Sequence, residues 1–309
     1  MGHPVKIDMP EERARPTTPD QDAKRTGLTA SAGLLVTLMI AVMAVPGIAL
    51  RFYAHGDLNF LHAVFSLFFS TNLLICYWEA CLFFRRDYIE TRTEYWREKR
   101  RETGRSPALE FFATRIPLTQ MLSPTIWADV WAAYCQYDAS YADRRTYGFN
   151  VDIANGFVTP VPTLILYAAF SVEFLSPLIA GIVGVMLFWQ WAYVTSLYWV
   201  SFFVAKRQAL ISRREIYIFI LAINSFWVLC ALLGLYVSIR LLVDGNYSVL
   251  GYRPTTSADA VRGASLLKNA AGNGRLIAFF GIDGCGKTCL LYTSPSPRDR
   301  TRSRMPSSA

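Results

Sequence analysis

The chain has 309 residues, of which 53% are hydrophobic and 17% charged, a balance typical of membrane proteins rather than of soluble or disordered chains. Its formal charge is +8, but its last 21 residues carry four arginines and one aspartate, and without them the charge falls by three, to +5. Nucleic-acid binding thus loses its support in composition, and we expect no nucleic-acid partner.

Residues 1–27 are rich in proline, arginine, aspartate and threonine and are predicted to form a disordered tail. Residues 28–245 predict an all-α, polytopic membrane bundle, since a helix needs about 20 apolar residues to cross a core of about 30 Å. Five spans are expected, of which the third is short: Leu28–Leu50, Leu58–Phe84, Ile153–Phe170, Leu178–Val204 and Ile216–Val243.

A polar segment separates the second and third spans. Its first part, Arg85–Gln120, is rich in arginine and predicts a solvated surface facing lipid headgroups. In Ile126–Tyr141, aromatic and acidic residues recur every three or four positions, which predicts an amphipathic helix at the membrane interface. The recurring residues are Trp127, Trp131, Tyr134, Asp138 and Tyr141.

Residues 246–274 read as a linker, and residues 275–288 as the start of a P-loop domain of α/β class. The apolar strand Arg275–Phe280 precedes a complete G-x-x-x-x-G-K-[ST] loop, whose backbone N–H groups and lysine cradle phosphates. In an intact domain this loop would bind ATP, and Thr288 would bind Mg²⁺; as given, the chain is expected to use no cofactor. The predicted nucleotide-binding residues are Gly281, Asp283, Gly284, Gly286, Lys287 and Thr288.

Residues 289–309 can be written as a translated sequencing-library adapter, so we interpret them as an artefact that follows a domain cut off at Thr288.

Strongly polar side chains inside spans are costly in hydrocarbon and are therefore candidates for function. They recur at helical spacing on the second, third and fifth predicted spans, and they lie among tryptophans on the fourth. We predict that they line one polar, aromatic-walled cavity. The residues are Asn72, Cys76, Glu79, Asp152, Asn155, Thr159, Gln190, Tyr193, Asn224 and Trp227.

The segment Asp129–Tyr141 resembles the acidic-x-W-x-x-Y-x-x-x-D-x-x-Y motif of the emopamil-binding (EXPERA) family, which includes sterol Δ8–Δ7 isomerases and sigma-2 receptor-like proteins. From it, a gap-free match places Asp152 at the family's intramembrane glutamate and Asn155 at a pocket threonine, and Asn224-Ser225-Phe226-Trp227 reproduces its N-x-x-W. The resemblance runs from about residue 58 to residue 243. It implies a cavity for an apolar small molecule or lipid.

The family's second span carries a histidine and, four residues later, a glutamate, where this chain has Asn72 and Cys76. The resemblance therefore implies, as the leading hypothesis, a protein that binds its ligand without converting it. The alternative is isomerisation, with Asp152 as the catalytic acid and Trp227 as the ring that stabilises the cation. Glu79, one turn from Cys76, is a candidate substitute.

The loop Gly281–Thr288 resembles that of thymidylate-kinase-like enzymes, with Cys285 at a small-residue position. The resemblance implies a membrane bundle natively fused to a nucleotide-kinase-like domain. A third interpretation is that the bundle only anchors this kinase domain at the membrane.

Each polar candidate also has a purely structural interpretation. Asp152 and Asn155 could cap the third span, Glu79 could extend to the aqueous boundary or pair with nearby arginines, and Asn224 could join two helices.

We expect an integral protein of a bacterial inner membrane, in contact with the lipid bilayer. The positive-inside rule puts the tail and the basic loops in the cytoplasm, and with five spans the P-loop would then lie outside, away from ATP. Since the rule is a bias, we favour a cytoplasmic P-loop.

Overall fold

The computed structural model describes residues 27–251, which divide into two compact units. Unit 1 comprises residues 27–39 and 81–144, and unit 2 comprises residues 40–80 and 145–251. The predicted N-terminal tail, most of the linker, the P-loop and the adapter-like tail lie outside the described residues.

The described residues are mainly helical, as predicted. The long helices are α1 (Ala32–His55), α2 (Phe60–Phe84), α3 (Arg86–Thr103), α8 (Pro177–Val204) and α9 (Arg213–Asp244). The shorter ones are α4 (Pro107–Ala113), α5 (Pro124–Tyr134), α6 (Tyr147–Val158) and α7 (Pro160–Val172). Short 3-10 turns join several of them, and α9 includes a π-helical stretch, Ile216–Ala222.

Four helices, α1, α2, α8 and α9, are long and apolar enough to cross a membrane. The predicted third span is instead two helices, α6 and α7, bent by 52° at Thr159, and together they make a fifth candidate. Pro160 explains the break, because proline lacks the N–H that an unbroken helix needs. The pair also starts at Tyr147, six residues before the predicted Ile153.

Unit 1 begins with a two-stranded antiparallel sheet that we did not predict, β1 (Thr29–Ser31) with β2 (Arg115–Pro117). Thr29–Ser31 are therefore extended rather than helical, and the first span begins at Ala32, four residues after the predicted start.

The predicted interfacial helix is corrected by the structure. It ends at Tyr134 rather than Tyr141, and Trp127 is fully buried in unit 1 while Trp131 is 8% exposed. The aromatic stripe is thus part of a protein core and is not laid against lipid headgroups. The helical period correctly predicted that one face of the helix is buried. It could not show whether lipid or protein covers that face.

The arginine-rich segment also differs from a fully solvated surface. Arg92 on α3 is 4% exposed, and its Nε lies 3.0 Å from Oδ1 of Asp129 on α5. The indole N–H of Trp96 donates to the same oxygen at 2.8 Å. Burial raises the pKa of Asp129, and Arg92 and Trp96 oppose that rise by stabilising the charged carboxylate.

Unit 2 is built on an apolar core shared by α2, α7, α8 and α9. Phe68, Phe170, Phe188 and Val237 are fully buried there. The core extends beyond α9, since Tyr247 is buried and its hydroxyl donates to the carbonyl of Leu175 at 3.1 Å. The segment predicted to be a linker from residue 246 is therefore packed against unit 2 at least to Leu250.

Candidate functional site

Six of the polar side chains predicted to lie together do so, in a connected network inside unit 2. It spans α2, α6 and α8, and it reaches the break in α6–α7 at Thr159. Its members are Asn72, Cys76, Glu79, Asn155, Thr159 and Gln190.

The network is ordered along α2, which carries three members at helical spacing. Asn72 Nδ2 lies 3.5 Å from Cys76 Sγ, and Cys76 Sγ lies 3.3 Å from Thr159 Oγ1. Asn72 also donates to Thr163 Oγ1 at 3.1 Å, a partner that the sequence argument missed. Cys76 and Asn72 are both under 5% exposed, so each depends on these partners rather than on water.

Glu79 is the acidic centre of the network. It is 5% exposed, and its carboxyl is hydrogen-bonded to the side chains of Asn155 and Cys76. Gln190 Nε2 donates to Asn155 Oδ1 at 2.6 Å, which leaves the Asn155 amide N–H groups as the donors to Glu79. Glu79 therefore points into the protein and does not extend to the aqueous boundary.

Asp152 lies beside this centre and interacts electrostatically with Glu79. The capping interpretation of Asp152 and Asn155 is wrong, because α6 starts at Tyr147 and Thr146 caps it, accepting from the Phe149 N–H at 3.4 Å. Two carboxyl groups thus share one region of unit 2, within helices of membrane-spanning character.

Close packing fixes the distance between α2 and α6 at this point. A Cβ placed on Gly156 would lie 2.7 Å from Glu79 Cβ and 3.0 Å from the Cys76 carbonyl oxygen. Only glycine permits this approach, so Gly156 is a positioning residue for the Glu79–Asn155 contact.

The remaining predicted residues have other contacts. Tyr193 is 51% exposed and stacks on Trp189 at 6.0 Å. Asn224 Nδ2 donates to the carbonyl of Ile220 on its own helix at 2.9 Å, next to the π-helical stretch. Trp227 packs on Phe68 at 5.3 Å in the aromatic core. The partners of these three residues given above thus lie outside the Glu79 network.

His, Cys, Asp and Glu side chains form no group able to hold a metal ion within residues 27–251.

The chain matches no known protein-family model, no curated protein and no solved structure with significance. The resemblances to the emopamil-binding family and to thymidylate-kinase-like enzymes thus stay predictions from the residues.

Proposed function

We propose that this membrane protein binds an apolar small molecule or lipid in unit 2, with the polar part of the ligand at the Glu79 network. The observation that carries the proposal is the burial of Glu79 in a helix long and apolar enough to span a membrane. An acid in such a place is costly and is rarely kept without a functional reason.

The chemistry favours a ligand with an amine on an apolar body. The Glu79 and Asp152 carboxyl groups can pair with an ammonium group, the Asn155 and Gln190 amides supply hydrogen bonds, and the surrounding helices supply apolar surface. The resemblance implies that Trp227 contacts the cation, but Trp227 packs on Phe68, about 16 Å along α2 from Glu79. We therefore assign Trp227 to the apolar body of the ligand.

The test uses a dansyl-labelled hydrophobic tertiary amine, titrated by fluorescence against the protein in lipid nanodiscs. We expect Glu79→Gln, which keeps the shape of the side chain, to weaken binding at least about tenfold, or about 1.4 kcal/mol. We expect Trp227→Ala to weaken it by about 1–2 kcal/mol, because the apolar body of the ligand loses its contact with the indole ring.

Glu94→Gln is the matched control, because Glu94 is exposed in unit 1 and pairs with Arg97 on the same helix. Equal affinity in Glu79→Gln and Glu94→Gln would reject the site. Equal affinity in Trp227→Ala and the wild type would remove Trp227 alone from the pocket.

A double-bond isomerase is the second candidate, and the proximity of Glu79 and Asp152 favours it. Such an enzyme needs one acid to protonate the alkene carbon and one base to take a proton from the carbocation. Incubation with a Δ8 sterol in D₂O would show it by deuterium in a shifted alkene. We expect no product, and product that Asp152→Asn abolishes would replace binding by catalysis.

For the parent protein, we propose a cytoplasmic nucleotide-kinase-like domain that uses ATP and Mg²⁺ after residue 274. The support is the loop Gly281–Thr288 and the strand before it. The bundle can be changed without loss of amine binding and the location of the kinase domain in cells then measured. A changed location would favour the anchoring role instead.

A further inference from the structure

A continuous seam joins α2 to the broken helix α6–α7 inside unit 2. Its contacts pair residues whose numbers rise along α2 and fall along α6–α7, so the two elements run antiparallel. The pairs are His62 with Ser171, Phe65 with Phe170, Phe69 with Tyr167, Asn72 with Thr163, Cys76 with Thr159, and Glu79 with Asn155.

The seam is nearly as long as the apolar core of a bilayer is thick. From His62 to Glu79 it covers 17 helical residues, or about 26 Å at about 1.5 Å each. That length is close to the thickness of a bilayer core, about 30 Å. Because α6–α7 pairs with α2 over this whole length, we treat the bent pair as a broken span that reaches the same depth.

One end of the seam is built around His62, which is 2% exposed. His62 Nε2 lies 3.2 Å from Ser171 Oγ and 3.5 Å from Ser66 Oγ. A ring nitrogen between two hydroxyls can accept a proton on one side and release it on the other.

Beyond His62, charged groups lead towards the surface. Arg51 Nη1 lies 3.3 Å from Glu173 Oε1, and His55 Nε2 lies 3.5 Å from the same oxygen. Asp57 Oδ1 is 3.8 Å from Arg51 Nε, and the Asp57 side chain as a whole is 37% exposed, so the cluster reaches water through Asp57. Glu173 adopts a left-handed backbone conformation, φ 53°, which is costly for a residue other than glycine.

The opposite end holds Glu79 and Asp152, and Asp152 is partly exposed. Titratable groups thus stand at both ends, one set on each side of the middle of the seam.

The middle of the seam is closed by four aromatic rings, which we call the aromatic layer: Phe65, Phe69, Tyr167 and Phe170. Phe65 and Phe170 lie 5.5 Å apart edge to face, and Phe69 lies 5.7 Å from both Tyr167 and Phe170. Apolar constrictions of this kind exclude water and act as gates.

We propose that unit 2 carries protons across the membrane along this seam, with the aromatic layer as its gate. On one side, the Glu79 carboxylate takes a proton from hydronium near Asp152 and gives it to water beside Asn72, whose amide binds that water without titrating. When the layer opens, the proton passes to His62 and leaves past Glu173. Protons are conserved at each transfer, and no other bond changes.

Joining helices does not account for the seam by itself. Hydroxyls and amides, such as those of Thr163 and Asn72, suffice to hold helices together in lipid. Ionisable groups such as His62 and Glu79 are far costlier there and are characteristic of proton relays.

The test measures proton flux into liposomes that carry the purified protein and an internal pH-sensitive dye, driven by a potassium diffusion potential of about 100 mV. We expect a slow wild-type flux above that of empty liposomes. Phe69→Ala should open the layer and raise the flux about tenfold or more. Adding Glu79→Gln should return it to the level of empty liposomes.

Phe60→Ala is the matched control, because Phe60 lies on the same helix but is 78% exposed, away from the seam. Phe69→Leu is measured in parallel, since it opens the layer with less loss of packing. Flux in Phe69→Ala and Phe69→Leu that equals Phe60→Ala overturns the proposal. Raised flux that persists after Glu79→Gln also overturns it, because the protons would then bypass the seam.

Discussion

Gly156 allows a sharp test of how tightly the Glu79 network is held. In Gly156→Ala, the new Cβ would meet Glu79 Cβ at 2.7 Å and the Ala80 backbone nitrogen at 3.0 Å. Carbon atoms pack best at about 3.5–4.0 Å, so α2 and α6 must separate by about 1 Å. None of the contacted atoms is the far end of a flexible side chain, and the strain cannot be relieved by a rotamer change.

Overpacking of this kind costs about 1–3 kcal/mol in the free energy of unfolding. For a chain of this size, each kcal/mol lowers Tm by about 2–4 °C, and we expect a fall of about 2–12 °C. The separation should also lengthen the Glu79–Asn155 hydrogen bond and weaken binding of the dansyl amine. Tryptophan fluorescence during heating in nanodiscs measures the first effect, and the fluorescence titration measures the second.

Val158→Ala is the control for Gly156→Ala, since Val158 is on the same helix and 68% exposed. It should change neither Tm nor affinity. If Gly156→Ala matched Val158→Ala in both measurements, the close approach of α2 and α6 would be wrong, and so would the placement of Glu79 against Asn155.

Three further predictions concern unit 1 and the end of the chain. Asp129→Asn should destabilise unit 1 by about 3–5 kcal/mol, because it leaves the Arg92 charge buried without its counter-ion. Removing the exposed charge of Arg97 should cost no more than about 1 kcal/mol. Limited proteolysis across a denaturant series would compare the two variants, and equal protection would contradict the burial of the Arg92–Asp129 pair. Burial raises the pKa of Cys135 to about 12, so its thiol stays protonated at pH 8. Iodoacetamide should therefore modify Cys135 only after unfolding, which mass spectrometry of the peptide would show. Rapid labelling of Cys135 in the folded protein would contradict this prediction. Resequencing the source locus from adapter-free DNA should continue past Thr288 into an ordinary kinase helix, and recovery of the same tail would count against the artefact.

The sequence predicted the part of the site that depends on helical period. Asn72, Cys76 and Glu79 recur at the spacing of one helix face, and the structure places them on one face of α2 with Asn155 opposite. Local spacing could not provide their long-range partners. Thr163 was missed because a threonine in an apolar span gives no signal until its partner is known.

The errors have the same origin. Trp127 was predicted to lie at the membrane interface because its helical period shows a buried face but not what covers it, and the structure covers it with protein. Arg92 was predicted to be solvated because its partner Asp129 is 37 residues away along the chain. The break at Pro160 was within reach, since a proline inside a short apolar run is a known helix breaker.

The break in α6–α7 has a consequence for how the protein enters its membrane. Its halves have 12 and 13 residues, about 18 and 20 Å of helix, and neither reaches across a core of about 30 Å. During synthesis neither half can partition into lipid as an independent helix. The flanking helices α2 and α8 can, so we expect them to insert first and the α6–α7 pair to join them afterwards, which makes insertion of this protein cooperative.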